Sequence, residues 1–143
     1  MNSVRLPAYG QVLRVLFGAL LLATGLAKLT DMGGFIDIVA AYQVLPPPLL
    51  APAAWALAIG EVTLAVWLIV GWRLRVAASV TAALHLVYFC WIGVALARGI
   101  DIANCGCFGI FLARPLHFST LLEDAILLVL AVALWRATLR AAR

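Results

Sequence analysis

Four apolar runs, each about as long as a lipid bilayer is thick, decide what this chain can fold into. They cover about residues 9–29, 52–71, 74–97 and 119–135. A spanning helix needs roughly 20 apolar residues, and the shortest run still falls within the usual range. The chain has 143 residues, of which 66% are hydrophobic and 11% charged, whereas about a quarter of a soluble domain is charged. So small a chain cannot hide that much apolar surface from water, so its solvent is lipid. In lipid the backbone must satisfy its own polar groups, which leaves helices or closed barrels. Barrel strands alternate apolar and polar residues, and these runs do not.

The expected fold is therefore all-α, an integral membrane four-helix antiparallel bundle. Residues 1–143 read as a single four-span domain with short connections. Arg5 and Arg14 precede an apolar stretch that ends in Ala23-Thr24-Gly25, a passable signal-peptide cleavage site. The run is too long for a signal peptide, and a retained span is the expectation. Along it Ala19, Ala23 and Ala27 recur every fourth residue beside Gly18 and Gly25, a small-residue face for close helix approach.

The formal net charge of +4 invites a nucleic-acid reading, but the charges are too sparse and too scattered around the ends of the runs for one, and no nucleic-acid partner is expected. They follow the positive-inside pattern instead. With the N-terminus inside, Arg5, Arg14, Arg73, Arg75, Arg136, Arg140 and Arg143 fall on the inner side, seven of the ten basic residues. Lys28, Arg98 and Arg114 fall outside. Both termini are then cytoplasmic, and the connection from Arg98 to His117 faces the outer compartment. Trp55, Trp72, Trp91 and Trp135 lie towards run ends, as membrane-interface anchors do.

Asp31-Met32-Gly33-Gly34 breaks the first helix. Phe35, Ile38, Val39 and Tyr42 then follow at helical spacing over a stretch too short to span. The pattern predicts a short interfacial helix after the first span, as a lid or a surface helix, stopped by Leu45-Pro46-Pro47-Pro48. Thr120-Leu121-Leu122-Glu123 fits a capping box at the start of the fourth span, with Glu123 and Asp124 complementing its dipole.

The chemistry concentrates in Asn104-Cys105-Gly106-Cys107-Phe108-Gly109, in the outer connection. Gly106 lets the chain bend enough to bring Cys105 and Cys107 within disulfide reach. So small a ring removes little entropy from the unfolded chain and is a poor structural staple. A labile, exchanging disulfide is the better reading. Arg98 or Arg114, if near in space, would favour a thiolate. The rival is a Cu(I) site on Cys105, Cys107 and His117, since thiolates suit a soft ion. Cys90, inside the third run, reads as a small hydrophobe, or else as a resolving thiol.

Glu61 lies well inside the second run. A carboxylate there is costly, and Lys28 is its natural partner. The pair is either a structural tie between the first two spans or, with His85, a proton or quinone-headgroup site. His85 shares a stripe with Thr81 and Tyr88 that should face the bundle interior.

Gly25-Leu26-Ala27-Lys28-Leu29, Tyr42-Gln43-Val44-Leu45-Pro46, Glu61 and Cys105-Gly106-Cys107-Phe108-Gly109, in that order and spacing, resemble the MauE-type branch of the DoxX-like membrane proteins. The resemblance covers nearly the whole chain. It implies a four-helix protein of the bacterial inner membrane, associated with thiol redox steps in the maturation of methylamine dehydrogenase. It also implies a periplasmic thioredoxin-like partner or a disulfide-bonded client. In layout the chain is similar to quinone-coupled disulfide enzymes, which carry Cys-x-x-Cys where this chain has Cys-x-Cys. The leading expectation is a thiol–disulfide oxidoreductase cycling Cys105 and Cys107, with quinone as the candidate cofactor. The alternatives are a non-enzymatic membrane scaffold for a soluble redox partner and the Cu(I)-handling protein.

Overall fold

A computed structural model of the chain describes residues 6–141. Arg5 and Arg143, counted in the charge argument, lie outside the described residues. Five helices follow one another: α1 (Ala8–Thr30), α2 (Met32–Ala41), α3 (Pro47–Val70), α4 (Leu74–Ala97) and α5 (Phe118–Arg140). Among the described residues there is no strand. All but α2 are long and apolar enough to cross a membrane. The architecture is the expected membrane bundle, with α1 packed chiefly on α3 and α4 on α5. Val12, Val15, Leu16, Ile59, Val66, Leu86 and Val129 point outward, exposed as side chains in lipid contact are.

The helix ends differ from the expected boundaries for identifiable reasons. The third helix begins at Pro47, five residues before the anticipated start. Pro46 is its N-cap and proline fills its first positions. The first-turn N–H groups have no intrahelical partner, so proline there is free of its usual penalty. A run read as a stop for α2 is thus also the start of α3. The fourth span begins at Phe118 with His117 as N-cap, and the hydroxyl of Thr120 accepts the backbone N–H of His117 at 3.4 Å. The cap therefore lies three residues earlier than expected. The helix runs on to Arg140, placing a cation in its last turn where the dipole favours one.

The close approach of α1 and α3 uses glycine rather than the alanine row. Gly18, Leu21, Gly25 and Lys28 are buried, whereas Ala19 and Ala23 turn outward. A Cβ at Gly25 would stand 2.8 Å from Val62 Cγ2 and 3.1 Å from the carbonyl oxygen of Ala58. Only a residue without a side chain lets the two backbones meet there.

Packing is uneven along the bundle. The end formed by the start of α1 and the finish of α5 is filled by Phe17, Leu21, Leu68, Leu74, Ala78, Ala131 and Leu134. At the other end Phe35 and Val39 of α2 pack on Ala54, and Tyr42 packs with Ile92, Ile102, Cys105 and Leu116. The short helix thus turns its apolar face inward and roofs the bundle together with the 98–117 connection.

Candidate functional site

Beneath that roof lies a cavity of about 470 Å3, bounded by all five helices and the cysteine loop. Cys105, Cys107, Lys28, Glu61 and His85 all line it, although they come from four separate parts of the chain. Its volume is that of a small-molecule site.

The loop is shaped by its own hydrogen bonds. Cys105 N–H donates to the carbonyl of Arg114 at 2.9 Å and Leu116 N–H donates to the carbonyl of Ile102 at 2.8 Å, folding the connection back on itself. Asn104 pins the turn from both sides. Its Nδ2 donates to the carbonyl of Gly109, and its Oδ1 accepts the N–H of Gly106, both at 3.0 Å. Gly106 has φ +79°, and a Cβ there would come within 2.7 Å of Ile38 Cγ2. The Cys-Gly-Cys turn therefore rests directly on α2. Tyr42 adds a further tie, its hydroxyl donating to the carbonyl of Cys105 at 2.7 Å. Burial, then the nearby Cys105 and Cys107, push the Tyr42 phenol upward, so it remains a donor.

The two sulfurs lie 3.3 Å apart as free thiols. Cys105 is 7% exposed and Cys107 is more open. They are not equivalent. Between the neutral thiols Cys105 donates to Cys107; when Cys105 loses its proton Cys107 becomes the donor, which stabilises the Cys105 thiolate and lowers its pKa to about 6, against the opposing effect of burial and with help from Arg114. The same hydrogen bond, followed by burial, holds the Cys107 thiol well above its ordinary value. One sulfur is thus set up as the thiolate and the other as its proton-bearing partner. Of the flanking arginines, Arg114 lines the cavity and pairs with Glu123 at 2.9 Å. Arg98 turns away to donate to the carbonyl of Gln43 at 3.0 Å.

Deeper in the cavity Lys28 Nζ lies 2.6 Å from both oxygens of Glu61. Thr24 Oγ1 reaches Glu61 Oε2 at 3.0 Å, and the Tyr88 hydroxyl donates to Oε1 at 2.5 Å. The Lys28 ammonium also stands 5.5 Å from the ring centres of Phe35 and Tyr88. The expected partnership of Lys28 with Glu61 is present, with two further polar side chains completing the carboxylate's shell. The Thr81, His85 and Tyr88 stripe faces inward as expected. His85 Nδ1 donates to the carbonyl of Thr81 at 2.9 Å, and its ring meets the edge of Phe17 at 5.1 Å between centres.

Other residues fall elsewhere. His117 is exposed and does not line the cavity. Among the described residues no group of three His, Cys, Asp or Glu is placed to hold a metal ion. Cys90 is exposed on the outside of α4. Trp91, read as an interfacial anchor, also lines the cavity and packs edge-on against Tyr42 at 6.1 Å. Thr24 was legible in principle, one turn before Lys28 on the same face. Asp124 was read as a dipole complement, yet it lines the cavity and is buried. Asn104 and Tyr42 carry no pattern that marks them as loop supports.

The family described as "Methylamine utilisation protein MauE" matches residues 6–137. "Methylamine utilization protein MauE" of Paracoccus denitrificans is 32% identical over 122 residues, covering 85% of this chain and 66% of that protein. Its counterpart in Methylophilus methylotrophus is 36% identical over 119 residues, covering 82% of this chain and 60% of that protein. The chain thus spans somewhat less than two thirds of the length of these relatives. No solved structure matches.

Proposed function

The chain belongs to the MauE family, and from that premise we propose that it is a membrane thiol–disulfide redox component serving protein maturation in methylamine utilisation. Residues 1–143 act in this reading as one four-span domain of the bacterial inner membrane, with the cysteine loop in the periplasm. The clustering of Arg14, Arg73, Arg75, Arg136 and Arg140 at the helix ends opposite that loop supports the orientation.

The observation that carries the reading is the placement of two sulfurs 3.3 Å apart on the wall of a cavity that also holds a buried hydrogen-bonded ion pair. A thioredoxin-like partner or client gives up two thiols and leaves with a disulfide, while the Cys105–Cys107 disulfide becomes a dithiol. Restoring that disulfide removes two electrons and two protons. A membrane quinone is the acceptor this reading names, and it would take both on becoming a quinol. The apolar cavity fits a quinone ring in size, and Lys28 and Tyr88 are the donors able to bond its oxygens. In this role Lys28, Glu61 and His85 bind and move protons.

Maleimide trapping of loop thiols in intact membranes tests the reading, in wild type and in Cys105→Ser and Cys107→Ser. A Cys105–Cys107 bond that partners reduce and that reforms only with quinone present supports it. Client oxidation that survives either substitution sinks it. One observation favours the scaffold instead. Ile110, Phe111, Leu112 and Phe118 are exposed apolar side chains on and beside the loop, whereas Cys105 is buried. A scaffold would keep its function without the cysteines and lose it when those exposed side chains are made polar.

A further inference from the structure

Three carboxylates line the cavity, and only one is left without full pairing. Glu61 is engaged by Lys28, Thr24 and Tyr88. Glu123 accepts two bonds from Arg114 at 2.9 and 3.2 Å, in a pair that is half exposed. Asp124 is 7% exposed, and its Oδ2 is buried with no hydrogen-bond partner among the described residues. An uncompensated buried carboxylate is costly, and such groups gather at functional sites. It also lies beyond the first turn of α5, where the helix dipole gives little help.

The thiol pair needs such a group. When a mixed disulfide on Cys105 is resolved, the sulfur of Cys107 bonds to that of Cys105. The electron pair of the broken S–S bond leaves with the departing thiolate, and the proton of Cys107 must go elsewhere. Cys105 requires no base, because it already favours the thiolate. In the dithiol the Cys105 hydrogen bond, burial and the charges of Cys105 and Asp124 hold the proton on Cys107; once Cys105 is in the mixed disulfide its charge is gone, and burial and the charge of Asp124 still keep the proton there. Among the other cavity groups, Tyr42 donates to the carbonyl of Cys105, and Lys28 and Tyr88 are held on Glu61. His85 keeps Nε2 as a free acceptor when Nδ1 donates to Thr81, but its ring packs against Phe17 and Tyr88, with the Glu61 group and away from the cysteine turn.

Resting on the redox reading above, we propose that Asp124 is the proton acceptor for Cys107 when the Cys105–Cys107 disulfide closes. In the reverse direction it returns that proton as the bond opens.

The test uses the full chain in liposomes, reduced and then mixed with a soluble aromatic disulfide as oxidant, with loss of thiols followed over a range of pH. General-base assistance contributes about a hundredfold or more to rates. Asp124→Asn should therefore close the bond at least about tenfold more slowly at neutral pH. It should approach the wild-type rate in alkali, where hydroxide removes the proton instead, and Asp124→Glu should restore much of the neutral rate. Equal slowing at every pH, or an unchanged profile, overturns the proposal. A time-resolved infrared difference spectrum recorded while the bond closes is a second readout. It should show a carboxylic acid band that rises and decays with closure and that Asp124→Glu shifts, and closure with no such transient band likewise overturns the proposal. A wild-type pair that never closes into a disulfide removes the underlying reading and Asp124's role with it.

Discussion

Lys28 and Glu61, 33 residues apart on α1 and α3, meet with Nζ 2.6 Å from each carboxylate oxygen and side chains only 4% and 1% exposed. Each charge makes the other tolerable inside the bundle. Moving one ion out of water costs several kcal/mol even after relaxation, and mutual attraction repays this only when the remaining lone pairs are also satisfied. Thr24 and Tyr88 supply those extra bonds. The position is tightly determined, since Gly25, which brings α1 against α3, lies one turn from Lys28 on the same face.

Removing one partner should therefore harm the fold more than removing both. Glu61→Leu or Lys28→Met alone should cost about 3–5 kcal/mol, because each leaves an uncompensated buried charge. The double substitution should recover a good part of that loss. Thermal unfolding in detergent measures it, and a double variant as unstable as the sum of the singles would show that the pair acts independently.

This pair also shows how far the sequence reaches. Two opposite charges inside apolar runs have few ways to be stable in lipid, so their meeting was legible without a structure. The four spans were legible for the same reason, since lipid permits long apolar helices and little else. The closeness of the two loop cysteines was legible because Gly106 lets the turn bend, and the sulfurs stand 3.3 Å apart. Asp124 and Tyr42 were not, because their roles arise only when α2 and the 98–117 connection fold over the cavity. Helix ends were misplaced where one residue type serves two purposes. The proline run both ends α2 and opens α3, and His117, weighed as a metal ligand, is the N-cap of α5.

The inequality of the two thiols has a pH signature. In the reduced protein, alkylation of Cys105 should reach half its plateau near pH 6. The thiolate is the reactive form, so reactivity rises as pH climbs through that value and then levels off. Cys107→Ala removes the hydrogen bond that stabilises the Cys105 thiolate and should move the midpoint up, towards the ordinary thiol value of about 8.5. Iodoacetamide rates normalised to their plateau, with mass spectrometry to assign the site, provide the check. A wild-type midpoint already in the ordinary thiol range would refute the asymmetry.

Tyr42→Phe isolates the tie between α2 and the cysteine loop. It removes only the donor to the carbonyl of Cys105 and keeps the packing against Trp91. A buried acceptor left unpaired costs about 1–3 kcal/mol. The loop should detach more often, so Cys105 should be alkylated faster by a bulky maleimide while its alkylation midpoint changes much less than in Cys107→Ala. Unchanged maleimide access would mean that the tie does not hold the loop.

The contact of the loop with α2 can be tested from its other side. Gly106 combines a left-handed φ of +79° with a position 2.7 Å short of Ile38 Cγ2 for any added Cβ. The backbone conformation alone should cost Gly106→Ala about 1–2 kcal/mol, and the clash with Ile38 adds to it. These two penalties separate cleanly. Ile38→Ala opens space but leaves φ unchanged, so Gly106→Ala with Ile38→Ala should recover the clash and not the backbone strain. Thermal unfolding of the four proteins in this cycle gives the coupling directly. Substantial coupling would establish that the cysteine turn rests on α2 as described. Purely additive effects would mean that the turn stands clear of that helix and that the roof over the cavity is open.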